Sequence, residues 1–300
     1  MYAIMGATGN VGSVIANSLL AKGERVRVVG RDQGRLEKFV RKGAEAVTAN
    51  VKDFAASAEA LVGVHAAFLM IPPDLTSEDY RSDQERASDA MARAVQEAGL
   101  EYAVFLSSIG AQVAAGTGPI AGLHGAEEKL NAVSALNVLH LRPAYFMENN
   151  LAGMGMIQGM GILGNALQPD LKLAMIATRD VGDYAARRIL SLDFAGKGTR
   201  ELLGQRDLSM SETAAIIARG IGKPDLRYVQ FPYEQVQQVL TQMGIPVKTA
   251  ALFIEMYRAF NEGAVVAQEP RSVENTTPTS IEKFVQDVFA PAYQGKAAAA

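Results

Sequence analysis

The chain has no cysteine among its 300 residues. That absence excludes disulfides, a thiolate metal site and a thiol nucleophile. An excess of either charge is also missing. The net charge is −3, so there is no basic footprint for nucleic acid or for an anionic membrane. No apolar run approaches the ~18 residues that a membrane span requires. Histidine is scarce, and His65 and His140 sit in separate strand-like contexts that make no metal constellation. An apolar strand beginning at residue 2 leaves no room for a leader peptide, so the expected location is cytoplasmic. What remains is ordinary for a water-soluble globular chain: 49% hydrophobic and 20% charged residues, enough for a large core and one or two domains. The closing run Gly-Lys-Ala-Ala-Ala-Ala (295–300) reads as a disordered tail.

The most informative segment is Gly6-Ala7-Thr8-Gly9-Asn10-Val11-Gly12. It follows a short apolar run, Tyr2-Ala3-Ile4-Met5, that reads as a buried strand. It precedes a helical pattern with Val11, Val14, Ile15, Leu19 and Leu20 on one face. Strand, glycine-rich turn and helix together make a dinucleotide fingerprint. Gly6 permits the tight turn, Gly9 lets the backbone approach a pyrophosphate, and Gly12 lets helix and strand pack closely. The N–H groups at the helix start, around Thr8, Asn10 and Val11, then face the phosphates, aided by the helix dipole. The alternative is a glycine-rich turn that binds nothing.

Up to about residue 143 the chain alternates strand and helix in βαβ steps, with further strands read at 25–29, 46–48, 66–71, 102–106 and 138–141. Near-continuous apolar strands and right-handed crossovers predict an α/β fold with a doubly wound parallel sheet, the Rossmann arrangement. Residues 1–150 are expected to form the dinucleotide-binding domain. Residues 151–294 are expected to form a smaller, mostly helical substrate part over the carboxyl ends of the strands, with about 174–203 returning to the first domain. Ser209–Glu212 and Thr279–Glu282 read as capping boxes. Residues 146–164, rich in Met and Gly and without periodicity, read as a flexible loop. Its methionines, Met147, Met154, Met156 and Met160, are either core filler or a substrate lid, and the glycines favour the lid.

The second strand ends at Gly30-Arg31, where NAD-binding sites carry an acid for the ribose hydroxyls. The acid is missing. Arg31, with Arg35 one turn later, can pair bidentately with a 2′-phosphate, which favours NADP. The alternative is that Asp32 serves the ribose of NAD. Ligands in such sheets bind at the strands' carboxyl ends. There Ile71 and Pro72 could wall the nicotinamide, and Ser107 and Ser108 offer hydroxyls to a substrate oxygen, although Ser107 could equally be a plain strand exit or helix cap.

The next segments are His124-Gly-Ala-Glu-Glu-Lys129 and Leu141-Arg-Pro-Ala-Tyr145-Phe146-Met147-Glu-Asn149. Together with G-A-T-G-x-x-G, the Arg after strand two and F-L-M-I-P-P, they make the chain resemble the NmrA-like branch of the atypical short-chain dehydrogenases. That branch includes quinone reductases, triphenylmethane-dye reductases and NADP-sensing regulators. The resemblance covers nearly the whole chain. Two departures stand out. The Tyr-x-x-x-Lys dyad of the better-known relatives is absent, and His124 stands near its place. The family's Gly-Asp after strand three is Ala49-Asn50 here, and Asn50 can still meet an adenine edge.

The expected protein is an NADPH-dependent reductase acting on a conjugated, mostly apolar small molecule such as a quinone, enone or dye. The alternative is a non-catalytic NADP(H) sensor. An epimerase is disfavoured by the absent dyad. His124 could protonate the reduced substrate. It could instead shape the pocket or bond a neighbouring carbonyl. Lys129 is expected to pair with Glu127 or to lie on the surface. Tyr145, Phe146, Met147, Asn149 and Met154, with Ser108 and His124, are the expected substrate side. No metal, nucleic acid or membrane partner is expected, and monomer and homodimer stay open.

Overall fold

The computed structural model describes residues 1–295, so all but Gly295 of the expected tail at 295–300 lies outside the described residues. The first half runs β1 (Tyr2–Met5), α1 (Asn10–Ala21), β2 (Val26–Gly30), α2 (Gln33–Val40), β3 (Glu45–Thr48), α3 (Phe54–Leu61), β4 (Ala66–Leu69), α4 (Tyr80–Glu97), β5 (Tyr102–Leu106), α5 (Pro119–Asn131) and β6 (Asn137–Pro143). The second half runs β7 (Tyr145–Phe146), a 3₁₀ turn (Met147–Gly153), α6 (Met154–Met160), β8 (Ile162–Asn165), β9 (Leu173–Ile176), α7 (Thr178–Ser191) and β10 (Lys197–Leu202). It closes with β11 (Asp207–Leu208), α8 (Met210–Ile221), β12 (Arg227–Gln230), α9 (Tyr233–Gln242), α10 (Val247–Asn261), α11 (Ile281–Phe284), a π turn (Val285–Phe289) and α12 (Ala290–Tyr293).

Seven strands pair in the order β10-β6-β5-β4-β1-β2-β3, every neighbour parallel. The chain leaves β1 for β2 and β3 on one side, then crosses to β4 on the other. The switch point, where open α/β sheets bind ligands, is therefore the crevice between β1 and β4. Strand side chains alternate between two cores. Ile4, Phe68 and Val104 enter one, with Ile15 and Leu19 of α1 and Val181, Ala185 and Ile189 of α7. Met5, Leu69 and Phe105 enter the other, with Leu61 of α3, Met91 and Val95 of α4 and Leu130 of α5. Both faces are covered, and each large side chain so buried contributes about 1.5–3 kcal/mol. Helices α1 and α7 touch at Gly182, where a Cβ would stand 2.6 Å from that of Val14. Only glycine permits that approach.

Two small sheets complete the second half, β11-β9-β7 and β12-β8. Residues 147–165 are not a loop. They fold as the 3₁₀ turn, α6 and β8, and Met147 is 1% exposed within the core. The flexible-lid expectation is corrected there: Ile157 and Leu163 anchor the segment from the inside. The capping box at α8 is as expected, with Ser209 and Glu212 bonding each other's backbone N–H at 3.1 and 2.7 Å. The second box is not. Ser280 caps α11 through the Lys283 N–H, and Thr279 donates instead to buried Asp180 at 2.5 Å. Among the described residues no helix is long and apolar enough to cross a membrane, and no group of three metal-ligating side chains occurs.

Candidate cofactor cleft and active site

The glycine-rich turn has the geometry its spacing predicts. Gly6 takes φ +65°, which disfavours any residue with a Cβ. A Cβ at Gly12 would lie 2.4 Å from the Gly6 carbonyl oxygen, so helix and strand meet backbone to backbone. Gly9 is exposed and extended, and donates its N–H to Gly6 at 2.9 Å. No side chain caps α1. Among the described residues the N–H groups of Asn10, Val11 and Gly12 find no acceptor in the chain. Three unpaired donors on the positive end of a twelve-residue helix make an anion cradle.

At the neighbouring strand ends, Arg31, Asn50, Val51, Lys52, Ile71, Pro72, Asp74, Tyr80 and Asp83 line a cleft. Four residues singled out in the sequence thus converge: Arg31, Asn50, Ile71 and Pro72. The Arg31 side chain is exposed and has no ion-pair partner among the described residues. Asp32 is committed elsewhere, since its carboxylate caps α2 through the Arg35 N–H at 3.2 Å. Arg35 folds back onto the turn and donates to the Thr8 carbonyl at 3.2 Å. It braces the glycine-rich turn where a contact to a 2′-phosphate was expected. The Asn50 amide oxygen accepts from the Lys52 N–H at 3.1 Å. Lys52 closes the cleft's far side, pairing with Asp74 at 3.0 Å and with Asp83. Burial pushes the Tyr80 phenol up to about 12, so it stays neutral.

At the exits of β5 and β6 the sequence reading needs more correction. Ser107 is 4% exposed and gives its hydroxyl hydrogen to Glu127 at 2.5 Å. Glu127 is buried as well and receives the Arg142 guanidinium through both oxygens. Ser107 therefore offers no free hydroxyl to a ligand. Lys129 does not pair with Glu127. It crosses to α4, to Asp89 at 2.6 Å and the Ser88 hydroxyl. Ser108 turns its hydroxyl to the Ile109 carbonyl at 2.9 Å.

His124 is half-buried on α5, with Nδ1 at 2.8 Å from the Ala111 carbonyl. A carbonyl only accepts, so Nδ1 carries a proton and neutral His124 presents Nε2 as an acceptor. The ring can donate from Nε2 only as an imidazolium.

Tyr145 is half-buried, edge-on to Phe260 with centroids 6.4 Å apart. Burial raises its phenol pKa, helped by Tyr257, while Asn149 opposes the shift. Phe146 and Met154 are half-buried and Asn149 is exposed. Met147 belongs to the core and is no substrate contact. Glu148 has a structural role: it accepts the Thr178 N–H at 2.9 Å and its hydroxyl at 2.6 Å, fixing the start of α7. Tyr257, Phe260, Glu127, Arg142 and Lys52 were not legible as site residues. The only signal was Glu127 on the apolar side of α5, between Ala126 and Leu130, where an acid must have a partner.

Comparison with known proteins agrees with this anatomy. A curated relative, the NAD(P)H azoreductase of Xenophilus azovorans, is 25% identical over 259 residues, 86% of each chain. The NADPH-dependent quinone oxidoreductase QOR2 of Escherichia coli, solved with NADPH, superposes with a TM-score of 0.80 at 22% identity, covering 96% of this chain and 100% of that one. The triphenylmethane reductase of Citrobacter sp., solved with NADP(H), gives 0.74 at 17% identity, covering 95% of each. At such identities these two structures share the fold. The model of the NmrA-like family matches residues 2–292, and the chain belongs to that family.

Proposed function

We propose that this protein is an NADPH-dependent reductase that delivers hydride to a conjugated, mostly apolar acceptor such as a quinone, an enone or a dye. The observation that carries the reading is the free Arg31 guanidinium in the cleft beside the unpaired N–H cradle, with Asp32 already bound to its own helix. Asn10, Val11 and Gly12 would bind the pyrophosphate, Arg31 the 2′-phosphate, and Asn50 the adenine edge. Ile71 and Pro72 share the cleft with Arg31 and Asn50, so in this reading they would flank the adenosine end of the dinucleotide. Bound there, the dinucleotide would supply the hydride. His124 as imidazolium holds the proton at Nε2 that an enolate or quinol oxygen would take. Tyr145, Tyr257 and Phe260 exclude water on the acceptor side. The names of the azoreductase, quinone and triphenylmethane-dye relatives support an acceptor of this class.

The test is NADPH oxidation over a panel of quinones, azo dyes and triphenylmethane dyes. A second reading, a dinucleotide sensor without turnover, draws support from one observation: Ser107 and Lys129 are both occupied by carboxylates, leaving no hydroxyl–lysine pair. Tight NADPH binding with no turnover across the panel would establish the sensor instead.

A further inference from the structure

Helix α10 is seated on the first half of the chain by a carboxylate that the proposed chemistry does not use. Glu255 accepts the Gly118 N–H at 3.2 Å. Gly118 is the N-cap of α5, the helix that carries His124, and it has φ +58°. A Cβ there would lie 2.1 Å from the Leu252 carbonyl oxygen, so α10 rests directly on the cap. Both Glu255 oxygens also receive Arg81 of α4, at 3.0 Å. Two further contacts fix the same helix. The Thr249 hydroxyl, fully buried, donates to the Ser77 carbonyl at 2.6 Å, and Phe253 meets Tyr80 edge-on at 6.2 Å. The segment touched, residues 77–81, leads out of the cofactor cleft, where Asp74 and Tyr80 are wall residues. Farther along α10, Tyr257 and Phe260 reach Tyr145.

We infer that Glu255 is a positioning residue. It holds α10, and with it Tyr257 and Phe260, in register with the helix that presents His124. The acceptor side of the site is thus assembled from two halves of the chain, with this carboxylate as the contact that ties α10 to the cap of α5 and to Arg81 at once. Part of its hold on Gly118 is electrostatic, because the N-cap is the positive end of α5. An amide in its place keeps an acceptor for that N–H and loses the attraction to Arg81, whereas alanine loses both. The consequence for the acceptor rests on the reductase reading, while the seat itself does not.

The experiment compares Glu255→Ala and Glu255→Gln with the unmodified protein, using menadione as acceptor. In Glu255→Ala the KM for menadione should rise about tenfold, while kcat and the NADPH dissociation constant stay within about twofold. Glu255→Gln should return KM to within about threefold of the starting value. An unchanged KM in Glu255→Ala overturns the inference. So does a parallel loss of kcat, KM and NADPH binding that Gln does not rescue, since that marks a mere fold defect. Hydrogen exchange reads the seat without turnover. The amides of residues 118–124 and 247–261 should exchange about tenfold faster in Glu255→Ala and near the starting rate in Glu255→Gln. Unchanged exchange overturns the inference whatever the kinetics. Faster exchange in a protein that reduces no acceptor supports the seat and overturns the reductase reading alone.

Discussion

The Ser107 hydroxyl is bound to the Glu127 carboxylate at 2.5 Å, inside the protein and one helical turn beyond His124. The same carboxylate holds Arg142 from the end of β6. The exits of β5 and β6 are thereby joined to α5 by one buried acid. A serine at a strand's carboxyl end, where a ligand hydroxyl was expected, is a structural group here. Ser107→Ala should therefore leave NADPH affinity within about twofold while lowering stability by about 1–3 kcal/mol, the range for a hydrogen bond to a charged partner. Glu127→Gln should cost about 1–3 kcal/mol, because it leaves the half-buried Arg142 guanidinium without its hydrogen-bonded counter-charge. Denaturant titration beside a cofactor titration separates the two effects. A Ser107→Ala protein of unchanged stability that binds NADPH tenfold more weakly would return Ser107 to the ligand.

Arg31 should set the choice of cofactor. The unmodified protein is expected to bind NADPH at least tenfold more tightly than NADH. Arg31→Ala should remove most of that preference, a loss of about 1.5–3 kcal/mol for a charge-assisted pair. Calorimetry giving equal affinities for both cofactors in the unmodified protein would remove the basis for this assignment. Arg35→Ala should weaken both cofactors alike, because it loosens the turn through Thr8.

The two glycines of the cradle should fail differently. Gly9 is exposed, and a Cβ there would meet only the Gly6 oxygen at 3.3 Å. Gly9→Val should leave a folded protein that does not bind the dinucleotide, because the branched side chain fills the space above the cradle. Gly12→Val meets backbone at 2.4 Å and should destabilise the fold itself. Circular dichroism melting and a cofactor titration on each variant distinguish these outcomes. Micromolar NADPH binding retained by Gly9→Val would refute the first.

His124 should matter only where a proton is needed. With a quinone or enone, His124→Ala should lower turnover by about 10²-fold. A cationic triphenylmethane dye is neutralised by hydride alone, so its turnover should change far less. Because Nδ1 is held by the Ala111 carbonyl, only Nε2 faces an acceptor, and His124→Gln should lower the quinone rate as His124→Ala does while sparing the dye rate. Equal small losses on both acceptors would make His124 a wall of the pocket.

His140 gives the fold a pH dependence unrelated to the site. It is 2% exposed beneath Phe105, and its Nε2 donates to Asn131 at 2.8 Å. Burial pushes its pKa from the ordinary 6.5 down to about 4. Between those values the unfolded chain binds a proton that the folded one refuses. Stability is therefore full above about 6.5 and is lost as pH falls toward 4. At a pH two units below the ordinary value the loss should be about 2–3 kcal/mol. Unfolding titrations at neutral and acid pH should show that slope, and His140→Gln should flatten it by that amount. An equally steep slope in the variant would place the dependence on other groups.

The amino-acid sequence by itself determined the doubly wound sheet, the cradle and the family. Each of these is written in local pattern. β1 and β5 match the predicted runs residue for residue, because a buried parallel strand must be apolar along its whole length. Gly6 and Gly12 were legible because their roles are set by backbone neighbours a few residues away. The tertiary structure alone decided which polar groups stay free. Arg31 and Asp32 are adjacent in sequence, yet one faces the cleft and the other caps a helix. Ser107, Glu127 and Arg142 lie up to 35 residues apart in sequence and become one buried cluster only when β5, α5 and β6 are side by side. Glu255 meets Gly118 and Arg81 across separations of 137 and 174 residues. Met147 and the run after it were misread because glycine and methionine carry no period. The core contacts at Ile157 and Leu163, made by residues distant in sequence, order that segment. A side chain's type states what it can bond, and which partner it meets is decided by packing.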